Sequence, residues 1–266
     1  MTANLNSAPP ILANKDHAAP SAFTPESLLR EARRQKGGRD VPVPAVCLLD
    51  PDGDIVRRLR AEGRARRHEG WVCYHTGMFV FEEGGLTIGI VGCAVGSAFA
   101  VLIAEEMFAS GCRLLISVTS AGQIAPDLAP PCFVLIDRAL RDEGTSYHYL
   151  PAAEWSAAPA ALLARLDGAF AGSGVAVRTG PVWTTDAPFR ETEAAIASAR
   201  ARGALAVEME AAALYAFAEA RGRAVICLAH VTNQMGRIEG DFEKGAEDGT
   251  AEALAVVTAT ARRLGG

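Results

Sequence analysis

Short apolar runs alternate with longer helix-forming stretches from residue 41 onward, and this alternation limits the fold more than any other feature. The runs at 45–49, 86–93, 114–119, 132–139 and 224–231 are rich in Val, Ile, Leu and Ala. Such near-continuous apolar runs suit strands buried on both faces. Stretches at 97–110, 158–170, 187–202, 211–221 and 243–264 have helix length and Ala-rich or amphipathic patterning. Strands covered by helices on both faces make three layers. The expected fold is therefore α/β, a single three-layer α/β/α domain with a mixed central sheet. Its start is β-rich: 71–82 and 86–93 read as strands joined by Glu83-Gly84-Gly85, a hairpin turn. Further short strands are expected at 175–178 and 205–208.

Residues 1–40 read as an N-terminal extension and 41–266 as the main domain. The extension begins as a loose arm rich in Ala, Pro and Asn. Thr24 then offers an N-cap, Pro25 a first helical position and Glu26 an acidic first turn, so a short basic helix should run to Gly37-Gly38. A chain of 266 residues, 50% hydrophobic, can bury a sizeable core. Lys and Arg number 26 against 31 Asp and Glu, a net charge of -5, so no nucleic-acid partner is expected. No apolar run is long enough to span a bilayer, so no membrane partner is expected. The start lacks the basic and apolar regions of a secretory signal. The 6 Cys are scattered without a C-x-x-C pair. They read as reduced core thiols of a cytoplasmic protein, with no metal site and no cofactor expected.

Ligands of open α/β sheets bind beyond the carboxyl ends of the strands. Gly92-Cys93-Ala94-Val95-Gly96-Ser97 follows one strand and opens a helix. Its N–H groups suit an anion or a hydroxyl, and it reads equally as a ligand-free turn. Thr119-Ser120-Ala121-Gly122-Gln123 is a small polar loop of the same kind. In Val207-Glu208-Met209-Glu210-Ala211, two carboxylates flank a Met where a strand enters an Ala-rich helix. Burying that pair is costly unless each finds donors. A sugar diol supplies donors to one carboxylate while the Met packs against the ring. Asp186 could cap the helix after it, and Phe189 could be core or a platform for a planar base. Asn233 presents a donor and an acceptor together, whereas His230 reads as a satisfied strand histidine or a site group.

These segments, with Arg141-Asp142-Glu143-Gly144-Thr145-Ser146-Tyr147-His148-Tyr149, stand in an order and spacing that resembles the purine nucleoside/uridine phosphorylase superfamily, which includes nucleosidases. The resemblance covers about residues 41–266. It implies cleavage of a nucleoside's N-glycosidic bond by a homo-oligomer, a dimer or a trimer of dimers. It further implies that Glu210 holds the ribose hydroxyls, Met209 packs under the sugar and Glu208 lies beside both. Phe189 and Thr185 fall in the base-lining region, and Asn233 falls where purine-specific relatives often carry a catalytic Asp. Asn cannot donate a proton as a general acid but can hydrogen-bond a leaving base. His148 or Tyr147 is placed near a subunit boundary, within reach of a neighbour's substrate.

The resemblance also marks departures. Phosphorolytic relatives have a Gly-Asp-Pro-x-Arg turn where this chain has Asp50-Pro51-Asp52-Gly53-Asp54-Ile55, and an Arg where it has Ser117. Each lost Arg–phosphate contact forfeits about 1.5–3 kcal/mol. The nucleosidase branch carries an acidic turn and a Ser-Ala-Gly loop, like Asp52-Gly53-Asp54 and Ser120-Ala121-Gly122. Asp54 then positions or deprotonates water, or the Asp residues simply cap the next helix. Arg57, Arg58 and Arg141 remain as cations for orthophosphate as a co-substrate, held in a nucleophile region with Gly96, Ser97, Ser117 and Ser120. Water and orthophosphate both stay open as acceptors, and the alternative to an enzyme is an inactive nucleoside-binding protein.

Overall fold

The structure is a computed structural model that describes residues 9–235, 239, 241–242, 244–245 and 249–265. In chain order the elements are α1 (Pro25–Lys36), β1 (Val46–Asp50), α2 (Asp54–Ala61), β2 (Ala65–Arg67), β3 (Met78–Glu83), β4 (Leu86–Gly92) and α3 (Ser97–Ala109). There follow β5 (Leu114–Gln123), β6 (Cys132–Asp142), β7 (Trp155–Ala157), α4 (Ala160–Arg165), β8 (Val177–Thr185) and α5 (Glu193–Ala201). The chain ends with β9 (Ala206–Glu208), α6 (Ala211–Arg221), β10 (Ala224–Asn233) and α7 (Thr250–Leu264).

All strands join one mixed sheet. Its middle is parallel, with β1 between β4 and β5. Antiparallel β3 and β2 carry it to one edge. On the other side β5 pairs with both β10 and β9, β10 with β6, β6 with β8, and β8 with β9. These five strands form a closed circuit, which leaves the β5–β10 region without an open edge. The carboxyl ends of β5 and β10 and the short β9 therefore converge.

Alternation along each strand builds two cores. Cys47 and Leu49 of β1 face one side with Leu115, Ile103, Met107, Leu214 and Phe217, under α3 and α6. Val46 and Leu48 face the other with Leu114, Ile116, Leu59, Leu254 and Val257, under α2 and α7. The layers are therefore helix, sheet, helix, as expected. Among the described residues no helix is long and apolar enough to cross a membrane. The thiols of Cys47, Cys73, Cys112, Cys132 and Cys227 are buried and free, while Cys93 is exposed.

α1 forms where its caps require: Thr24 Oγ1 accepts from Ser27 N at 3.3 Å, and Gly37 closes the helix at φ 66°. Its Leu29 and Ala32 cover Val72. That packing explains why the expected strand at 71–82 begins only at Met78: Val72 is buried under a helix, and Trp71 Nε1 donates to Thr76 Oγ1 at 3.1 Å within a loop. The helix expected at 187–202 begins at Glu193, because Thr192 is its N-cap and Pro188–Arg190 is a 3₁₀ turn. α4 is shorter than the expected 158–170, and β5, β6 and β8 run past their apolar runs into Thr, Ser, Gly and Asp. The three-residue strands β2 and β7 are additional to those expected. α7 begins at Thr250, with Lys244 and Gly245 outside the helix; Glu243 and 246–248 lie outside the described residues.

Two turns interlock at the carboxyl end of the sheet. Gly53 takes φ 79° to start α2, and Gly92 of β4 lies against it. A Cβ on Gly92 would stand 2.4 Å from Val56 Cγ1 and 3.0 Å from the Gly53 Cα. Gly92→Ala should therefore lower the unfolding free energy by about 1–3 kcal/mol in urea titrations. An unchanged midpoint would show that this approach is not tight.

Candidate functional site

The strand ends enclose a cleft of about 360 Å³. Ser120, Ala121 and Gly122 of β5 form one wall, and Asn233 and Met235 at the end of β10 a second. Val207, Glu208 and Met209 close the floor, and Phe189, Glu191 and Phe242 stand at the rim. Gly122 is required here, since a Cβ would lie 3.1 Å from Met235 Sδ, 3.2 Å from Val207 Cγ1 and 3.3 Å from Asn233 Oδ1. Phe189 is 99% exposed, which suits a stacking face better than a core position.

The two glutamates have different surroundings. Glu208 accepts from Glu210 N at 2.7 Å and Ala211 N at 2.8 Å, and also from the Thr184 hydroxyl. It caps α6, and Thr184 Oγ1 in turn accepts from Ala212 N at 3.0 Å. Glu210 accepts from Gly96 N at 2.6 Å with Oε1. Its Oε2 is buried and meets no donor at hydrogen-bond geometry among the described residues, although the Thr119 hydroxyl lies near the carboxyl and favours its ionised form. The start of α3 thus receives an acceptor, the protein's own Glu210 carboxyl. Ser97 Oγ donates to Met209 O at 2.7 Å, fixing the backbone that presents Met209 to the cleft. Burial pushes both carboxyls above their ordinary values; for Glu210 the Glu208 carboxyl adds to the effect and the Gly96 N–H opposes it.

Asn233 is nearly buried. Its Oδ1 accepts from Met235 N at 2.9 Å, and Nδ2 makes long bonds to Thr232 Oγ1 at 3.3 Å and Ala121 O at 3.4 Å. Thr185 is buried and its hydroxyl accepts from Ala187 N at 3.2 Å. Asp186 accepts from Gly144 N at 2.8 Å, tying the 3₁₀ turn to the segment after β6. His230 stacks on Phe133 at 4.3 Å, and burial pushes its pKa down to about 4. It is a packed strand histidine.

Beside the cleft lies the acidic turn. Asp50 is buried and accepts from Val56 N at 2.9 Å and Gly53 N at 3.2 Å; burial raises it to about 7. Asp52 Oδ2 accepts from Ser120 N at 3.0 Å and faces Lys244 Nζ at 3.3 Å. Asp54, the first residue of α2, pairs with both Lys244 and Arg57. Arg141 lies elsewhere, donating to Ser146 Oγ, Pro151 O and Leu150 O. Ser117 sits mid-sheet between Leu49 and Cys227, buried, and does not line the cleft. His148 lines a separate cavity with Phe23 and Tyr149, where Lys15 Nζ approaches its Nδ1 at 2.9 Å.

Sequence reasoning missed Glu191, Met235, Phe242 and Lys244. Glu191 is half-buried and burial raises it to about 7, a signal only the fold reveals. Lys244 stands in a polar, Gly-containing stretch with no local pattern to mark it. Among the described residues no group of His, Cys, Asp and Glu is arranged to hold a metal ion.

The family model of the phosphorylase superfamily matches residues 51–263. A guanosine phosphorylase of Halorubrum lacusprofundi is 26% identical over 164 residues, 61% of this chain and 66% of that protein, just under two thirds of its length. The fold is similar to the uridine phosphorylase of Vibrio fischeri ES114, at TM-score 0.68 and 22% identity over 84% of this chain and 91% of that one. It is also similar to the Campylobacter jejuni 5'-methylthioadenosine/S-adenosyl homocysteine nucleosidase, at TM-score 0.67 and 17% identity over 83% and 99% of the two chains.

The buried pair predicts a pH signature. Glu208 and Glu210 hold protons in the folded state above the value near 4.5 at which the unfolded chain releases them. Their contribution to stability is full below that value and is lost as pH rises toward neutrality. Glu210→Gln removes one of these groups, so its urea midpoint should fall less than the wild type's between about pH 5 and 8. Parallel slopes for the two proteins would contradict this.

Proposed function

Because the chain belongs to the phosphorylase superfamily, we propose that it cleaves the N-glycosidic bond of a nucleoside and that the group attacking the sugar is water. The observation that carries the choice of water is the Ser120 N–H. This donor at the mouth of the cleft is already taken by Asp52, and Asp54 stands beside it across Lys244. A phosphate dianion in that place would meet two carboxylates, whereas water can give its proton to one.

In this reading the nucleoside lies between Met209 and Phe189. The buried Oε2 of Glu210 exchanges a hydrogen bond with a ribose hydroxyl. As the C1′–N bond stretches, the sugar becomes oxocarbenium-like and negative charge gathers on the base. Asn233 exchanges its long internal bonds for one to that base. Water, held near Ser120 and Asp54, adds to C1′ and loses its proton to the carboxylate. An amide at Asn233 suits a base leaving as an anion, and the relative named as a guanosine phosphorylase supports a 6-oxopurine.

A second reading, phosphorolysis, is favoured by the two cations, Lys244 and Arg57, that stand on the acidic turn. A panel of nucleosides incubated with and without orthophosphate separates the two. Free base and free sugar without phosphate are expected; sugar 1-phosphate formed only with phosphate would overturn the choice of water. Nucleoside binding without turnover under either condition would leave a binding protein. For the machinery, Asp54→Asn should reduce base release by about 10²-fold or more. Undiminished release would remove Asp54 from the reaction.

A further inference from the structure

Lys244 lies between β10 and α7, remote in sequence from the acidic turn, yet its ammonium bridges two carboxylates of that turn. Asp52 is held on one side by Ser120 N and on the other by Lys244. Asp54 has one oxygen on Arg57 and the other on Lys244. Arg57 sits one turn further along α2, the helix that Asp54 begins, and donates to the backbone oxygen of Asp52 at 3.0 Å rather than to its carboxylate. Among the described residues, Lys244 is the side chain whose charge joins the two carboxylates, Asp54 to Asp52, and, through the Asp52 carboxylate, the Ser120 wall.

We infer that Lys244 is a positioning residue for the proposed reaction: it fixes the Asp54 carboxylate against that of Asp52 where the attacking water meets the sugar. The inference rests on the reading that Asp54 serves that water. The ammonium is partly buried, which disfavours its charge, yet Asp54 and Asp52 outweigh this and hold it above the ordinary lysine value. Among the described residues, the other charged groups around the turn include Asp50 behind it, Arg57 on α2, and Glu210 and His230, whose titrations respond to Asp52. His230 also responds to Glu252 on α7. Of the two cations, Lys244 is the less exposed, 24% against 58% for Arg57, so its charge is the less screened by solvent.

The test is the pH dependence of base release by the full chain with Lys244→Met, Lys244→Arg and Asp54→Asn. An opposite charge within about 4–6 Å favours a carboxylate by one unit or more. Lys244→Met should therefore move the acid limb of kcat/KM up by about 1 pH unit and cut activity below that limb about tenfold. KM for the nucleoside should stay near the wild type's, and Lys244→Arg should restore the limb. Lys244→Gln serves where Lys244→Met fails to give a wild-type urea midpoint. An unmoved limb in a folded variant, with Asp54→Asn inactive, overturns the role of Lys244 alone. An unmoved limb with Asp54→Asn fully active overturns the reading of Asp54 as well. A moved limb that Arg does not restore also contradicts the inference, because Arg carries the same charge.

Discussion

A carboxylate buried where two helices start organises this end of the molecule. Glu210 receives the Gly96 N–H at the beginning of α3, and Glu208 receives two N–H groups at the beginning of α6 and the Thr184 hydroxyl at the end of β8. Carboxylates stripped of water cost several kcal/mol unless donors replace it. The chain must therefore bring the ends of β4, β8 and β9 together; the closed circuit of strands places β8 and β9, and β4 joins it through β1 and β5. Met209, between the two glutamates, is presented to the cleft as a result.

The same economy of donors explains the acidic turn. Gly53 and Gly92 approach so closely that Asp50 can brace the turn with two backbone N–H groups. That brace points Asp52 at Ser120 and sets Asp54 at the head of α2. Helix N-termini favour anions, so Asp54 fits its local position on structural grounds alone. What the helix does not explain is the cation from beyond β10 that gathers both carboxylates at the cleft wall.

Much of this was legible in the residues. The apolar runs of β1, β4, β5, β6 and β10 and the Ala-rich α6 announced a layered α/β domain, and Glu208-Met209-Glu210 announced a polar site in an apolar setting. Strand length was less legible: β5 continues through Thr119, Ser120 and Gly122, which read as loop until pairing with β9 and β10 is known. The roles within the glutamate pair were also hidden, since only the fold shows that Glu208 caps a helix while Glu210 keeps an unpaired oxygen. The Gly92–Ser97 loop reads equally as a site for an anion or hydroxyl and as a ligand-free turn, and its Gly96 N–H holds Glu210. Lys244 could not be read at all, because its meaning lies in a contact to Asp52 and Asp54.

The claim at the centre of this account is that water, guided by the acidic turn, is the group added to the sugar. The most direct measurement is a single turnover of a nucleoside in ¹⁸O-labelled water, with the label located in the sugar by mass spectrometry. The account predicts one ¹⁸O at C1′ of the released sugar, in the absence and presence of orthophosphate. A sugar that carries phosphate at C1′ and no label from solvent would contradict it.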